Sequence, residues 1–132
     1  MSYDLYRRAK LRRRALDTLL GGDAFADVVR EAQEIVELIL KGAMRTVGVD
    51  PPKRHDIQAS VLQELDRFPP EWQEKMPILA EAVAELAAER SQAFYGDEAE
   101  LIAASDLFDR QDAQSALALV DDLLAMFDRL LA

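Results

Sequence analysis

Arg90 stands where a charged side chain needs an explanation. It lies in Glu89-Arg90-Ser91-Gln92-Ala93-Phe94-Tyr95-Gly96-Asp97, in line with apolar Leu86, Ala87 and Phe94 at helical spacing. A guanidinium among apolar neighbours must find an anionic or carbonyl partner. Two partners fit equally well: a ligand phosphate, or a carboxylate of the chain itself such as Asp97, Asp106 or Glu37. Tyr95 is read first as a core aromatic with its hydroxyl satisfied, and second as a ligand contact beside Arg90.

A second cluster, Lys53-Arg54-His55, follows Pro51-Pro52 and holds the only histidine. A lone imidazole in a chain without cysteine cannot assemble a zinc site, so no metal is expected. His55 is read as capping a short helix or bonding a neighbouring carbonyl. The alternative is phosphate binding by Lys53, Arg54 and His55 at that helix's free N–H groups. Carboxylate pairs such as Asp121-Asp122, or Glu98 with Glu100, flank solvent-facing positions in an acidic protein, which argues against a two-carboxylate hydrolase. No glycine-rich phosphate loop, G-x-S-x-G elbow or nucleotidyltransferase G-S motif occurs. No cofactor is implied.

The elements that must position these residues are helices. Leu5, Ala9, Leu16, Leu19 and Leu20 predict a first helix over Tyr3 to Leu20, closed by Gly21-Gly22, with Asp23 capping the next. From Phe25 to Val47 the apolar stripe is wider than one contact line, which marks a central helix with neighbours on more than one side. Gly48 and Asp50-Pro51-Pro52 stop it. A shorter helix is expected from about Asp56 to Leu65, broken at Phe68-Pro69-Pro70, with Trp72 in a brief turn. Pro77 suits the first turn of a fourth helix ending at Tyr95-Gly96. The segment Asp97 to Phe108 reads as a loop with one helical turn at most. Asp109 with Asp112 then signals the cap of a last helix. No stretch alternates apolar and polar residues, so no sheet is expected. The fold class is all-α: one domain over residues 1–132, an antiparallel up-and-down bundle of four to five helices. A bundle this small leaves an apolar stripe that a second copy would bury, so a homodimer is expected.

Charge narrows the function further. The 132 residues carry a formal net charge of −9, which opposes general nucleic-acid binding by the whole surface. The distribution is uneven: six basic residues (Arg7, Arg8, Lys10, Arg12, Arg13 and Arg14) against Asp4 alone give the first fourteen residues +5, leaving −14 on the rest. That asymmetry marks either a solvated helix face or a local strip for phosphate or an acidic partner. No basic leader precedes an apolar run, and no stretch is long enough to span a membrane, so a cytoplasmic protein is expected.

Three segments together resemble the HEPN domain family (higher eukaryotes and prokaryotes nucleotide-binding): Glu31 to Gly42, the element Gly48-Val49-Asp50-Pro51-Pro52-Lys53-Arg54-His55-Asp56, and Arg90 followed by Phe94-Tyr95-Gly96-Asp97. The resemblance implies an all-α bundle that dimerises, often paired with a minimal nucleotidyltransferase in a toxin–antitoxin-like system. Many members are metal-independent RNases in which an arginine, followed after a short spacer by a histidine at the end of the fourth helix, works at a cleft between protomers. There the arginine would stabilise phosphorane charge and the histidine would transfer protons. In this chain Arg90 takes the arginine position, but the places five to seven residues later are Tyr95, Gly96 and Asp97. A phenol, with an ordinary pKa of about 10, is a poor base near neutrality. Three readings follow: a non-catalytic module binding a nucleotide, an RNA phosphate or a nucleotidyltransferase; an RNase using Arg90 with Tyr95; and a ligand-free helical scaffold.

Overall fold

In the computed structural model, which describes residues 2–53, 56–96 and 103–132 and leaves out the side chains of residues 90–92 and 94, α1 (Ser2–Gly21) ends in a Schellman closure. Asp23 N–H donates to Leu20 O at 3.0 Å and Ala24 N–H to Leu19 O at 2.9 Å. The residue in the left-handed region is Asp23 (φ 58°), not Gly21 or Gly22. Asp23 therefore closes α1 instead of capping α2 (Phe25–Thr46), whose N-cap position is Ala24 and has no side-chain cap. One residue too early to reach the free N–H groups of α2, the Asp23 carboxylate accepts from Arg110 Nη2 at 2.5 Å.

Helix α2 is central, as its stripe predicts. Val28, Ala32, Ile35, Ile39 and Ala43 are fully buried, and the helix packs against α1, α4 and α6. Its end repeats the Schellman pattern, with Gly48 at φ 82° and Val49 N–H donating to Met44 O at 2.9 Å. A short α3 (Ile57–Gln63) and a 3-10 turn (Leu65–Arg67) follow.

The fourth helix is longer than expected: α4 (Pro70–Tyr95) starts seven residues before Pro77. Trp72, expected in a turn, lies in its first turn, fully buried, with its ring 5.0 Å from that of Phe68. Pro70 sits where a helix needs no N–H partner, and extended Phe68 leads into it. Pro77 lies inside the helix and removes the bond to the Gln73 carbonyl, a defect costing about 3 kcal/mol. Complete burial of Trp72 and Met76 on the same turns offsets it. Gly96 (φ 78°) ends α4 where the sequence predicts. A single turn, α5 (Ala104–Leu107), then leads to α6 (Arg110–Leu131). The expected Asp109–Asp112 signal is a full capping box, with bonds of 2.9 and 3.0 Å. No strand occurs among the described residues.

Ion pairs and hydrogen bonds fix the directions. Tyr6 Oη donates to Asp128 Oδ1 at 2.5 Å, and Arg13 Nε to Asp121 Oδ1 at 2.6 Å, so α1 and α6 run antiparallel. Asp128 raises the Tyr6 hydroxyl to about 12, first through that hydrogen bond. Arg129 at the end of α6 pairs with Glu71 at the start of α4, again antiparallel. The carboxyl-terminal half of α4 consequently runs beside the amino-terminal half of α2.

Gly42 marks a close approach of α2 to α6 and α1. A β-carbon there would lie 2.8 Å from Cε2 of fully buried Phe127 and 3.3 Å from Cβ of Leu5. Gly42→Ala is expected to destabilise the fold by about 1–3 kcal/mol in urea unfolding, since neither ring nor helix has room to move. An unchanged midpoint would mean that α2 and α6 do not meet this closely.

Candidate functional site

On α2 the residues not covered by the core form a narrow polar stripe of Arg30, Glu31, Glu34, Glu37 and Lys41, all of them half-buried. Within it Arg30 Nη2 donates to Glu31 Oε1 at 2.7 Å, and Arg12 of α1 reaches Glu34 at 3.4 Å. Beneath the stripe, Gln33 is 2 % exposed and donates from Nε2 to Glu37 Oε1 at 2.8 Å. Its Oε1 accepts nothing among the described residues, although a buried amide oxygen ordinarily has a donor. A cleft of about 610 Å³, lined by Arg12, Ala15, Leu19, Arg30 and Glu31, borders the stripe on the α1 side.

Arg90 belongs to the last two turns of α4, four residues after buried Leu86 and three before buried Ala93. Tyr95 ends the helix and is 64 % exposed, so the expected core aromatic is an outward-facing phenol. The reason is local: Gly96 turns the chain immediately after it, and buried Ala93 takes the inward position of that turn. Lys53 is exposed in the connection after α2. Arg54, His55 and Asp97 lie outside the described residues, so the expected cluster at the start of α3 is represented by Lys53 alone.

On the α6 side of the same stretch of α4 a groove of about 240 Å³ is lined by Glu85, Glu89 and Asp112, with Ala82, Leu86 and Leu119 as its apolar wall. Burial pushes the Glu89 carboxyl up from its ordinary value, and the neighbouring charges of Asp112 and Glu85 add to the shift. Two of the functional candidates here, Glu89 and Gln33, have weak sequence signals. Glu89 looks like any exposed acid, and Gln33 shows only as a polar residue between apolar Ala32 and Ile35.

The acidic groove opposes a phosphate approaching from α6. On the α2 side, the amino-terminal half of the helix carries Arg30, paired with Glu31 and Glu34.

A family model described as HEPN domain matches residues 2–130. No curated protein and no solved structure matches the chain. None of the described helices is long and apolar enough to cross a membrane.

The Glu89 shift has a signed consequence. With its folded pKa raised, Glu89 holds its proton more tightly in the folded chain than in the unfolded one. Its contribution to stability therefore falls as pH rises from about 4, the ordinary glutamate value, through the raised value, and is level above it. Glu89→Gln is expected to melt at a higher temperature than the parent at pH 7, with the difference vanishing near pH 3.5. Equal differences at both pH values in a calorimetric scan would refute the assignment.

Proposed function

The chain belongs to the HEPN domain family, and on that premise we propose that it is a non-catalytic member, a homodimer in which Arg90 of each subunit grips a nucleotide or RNA phosphate at a shared cleft. The observation that carries this reading is the course of α4. Its carboxyl-terminal half, which carries position 90, runs antiparallel to α2 and packs on it, and it ends in an outward-facing Tyr95. A guanidinium supplies a fixed fork for two phosphate oxygens, and Tyr95, about one and a half turns further along α4, is an exposed ring that can meet a base or ribose. Electrostatics favours entry from the α2 side, away from Glu85, Glu89 and Asp112.

Cleavage of RNA needs a group that moves protons near neutral pH. The segment after Arg90 offers Tyr95 and Gly96 where the family's RNases place histidine, and the only imidazole, His55, follows the carboxyl end of α2. Arg90 alone stabilises charge without transferring a proton, which supports binding over hydrolysis. The same surface also suits a minimal nucleotidyltransferase presenting its own bound nucleotide. The scaffold reading draws support from Glu85 and Glu89, which precede Arg90 on α4 and line a groove with Asp112, since acids are natural partners for a guanidinium.

Calorimetric titration with AMP and ATP separates these readings. The proposal expects saturable heat that weakens roughly 10- to 100-fold in Arg90→Ala, the loss of charge-assisted hydrogen bonds, while total RNA stays intact in EDTA. No heat with either nucleotide would leave the scaffold. RNA cleavage abolished by Arg90→Ala would make the protein an RNase.

A further inference from the structure

The outer face of α1 carries a charge pattern that the Arg90 cleft does not use. Leu5, Ala9 and Leu16 hold the helix to the bundle. Arg7, Arg8, Lys10 and Arg14 are exposed on its other side, together with the exposed apolar side chains of Tyr3 (64 %) and Leu11 (58 %). Two other arginines of α1 are committed within the fold: Arg12 to Glu34, and Arg13 to both Asp17 and Asp121. Lys10 lies 5.3 Å over the Tyr6 ring. Arg7, Arg8 and Arg14 make no ion pair with any described carboxylate, although Asp4 and Asp17 stand within one helical turn of Arg8 and Arg14.

Charge is thereby divided across the bundle. The outer face of α4 shows Glu74, Glu81, Glu85 and Glu89, and α1 packs on α2 and α6 without an extensive contact to α4. Two packed helix layers, at 8–10 Å between axes, separate these faces by more than the Debye length of about 8 Å at physiological salt. The net charge of −9 is therefore not what a ligand meets at α1.

We propose that the outer face of α1 is a binding strip for single-stranded nucleic acid, distinct from the Arg90 cleft. The cations are mostly arginine, whose planar fork matches phosphate oxygens in pairs. Tyr3 is an exposed ring on which a base can stack, and from Tyr3 to Arg14 the helix gives a straight track of about 17 Å. A second copy is a poor occupant. Two α1 faces repel each other, and α1 set against the acidic α4 face of another copy is a head-to-tail contact that does not close into a dimer.

The test is fluorescence anisotropy with a labelled short single-stranded RNA in EDTA, over a salt series. Arg7→Gln/Arg14→Gln is compared with Arg67→Gln/Lys75→Gln, which changes net charge equally on other elements. All four positions are exposed, and melting curves check that both variants fold. The strip predicts that the α1 variant binds roughly tenfold more weakly at about 50 mM salt and that its salt slope falls by about 1.4, or 0.7 for each lost phosphate contact. The control pair and Arg90→Ala should keep most of the parent affinity, so failure of the Arg90 reading leaves this result readable. Parent-like binding by the α1 variant, or no RNA binding by the parent, overturns the strip. Displacement of the RNA by oligoglutamate at equal charge concentration also overturns it, by assigning the face to an acidic protein.

Discussion

Everything in this bundle is arranged around the contact between Gly42 of α2 and the ring of Phe127 on α6. The ring occupies the space a β-carbon would need, so the two helices come close enough to bury Ile39, Ala43 and Leu123 completely between neighbours. Helices α1 and α4 then pack on both of them, on opposite sides. That placement leaves α2 only a narrow solvent-facing stripe and fills it with the polar side chains Arg30, Glu34, Glu37 and Lys41.

The same packing separates the charges. Acids of α6 neutralise the inward arginine of α1, as Arg13 shows with Asp121, and the remaining cations of α1 face outward. On the far side α4 carries a row of glutamates, and Glu89, through burial first and the charges of Asp112 and Glu85 second, holds its proton more tightly than usual. A HEPN bundle built this way presents three different surfaces: a basic helix, an acidic helix, and the polar stripe between them.

How far the sequence was legible depended on whether local and tertiary preferences agreed. For α2 they agreed: the wide apolar stripe and Gly48 each point to the observed helix and its closure. The Asp109–Asp112 box and the Gly96 stop were legible for the same reason, because short-range hydrogen bonding or a positive φ decides them. Asp23 was misread because an aspartate before a helix signals a cap, whereas here the preceding helix needs a left-handed residue at that point. Trp72 and Pro77 were misread because a proline is a local stop signal, and only burial of Trp72 and Met76 makes an interior proline tolerable. At the site, Arg90 stood out as a cation in an apolar line. The exposure of Tyr95 and the crowding of Glu89 depend on which helix lies alongside, and no spacing rule encodes that.

In the proposed site, ligand phosphate is held at the end of α4, on the side that faces α2. Chemical-shift mapping of the uniformly labelled protein during titration with AMP tests it most directly. Saturable shifts concentrated at the backbone amides of residues 87–96 and 30–37 are expected, with α3 unmoved. Shifts confined to the basic face of α1, or none anywhere at saturating nucleotide, would contradict it.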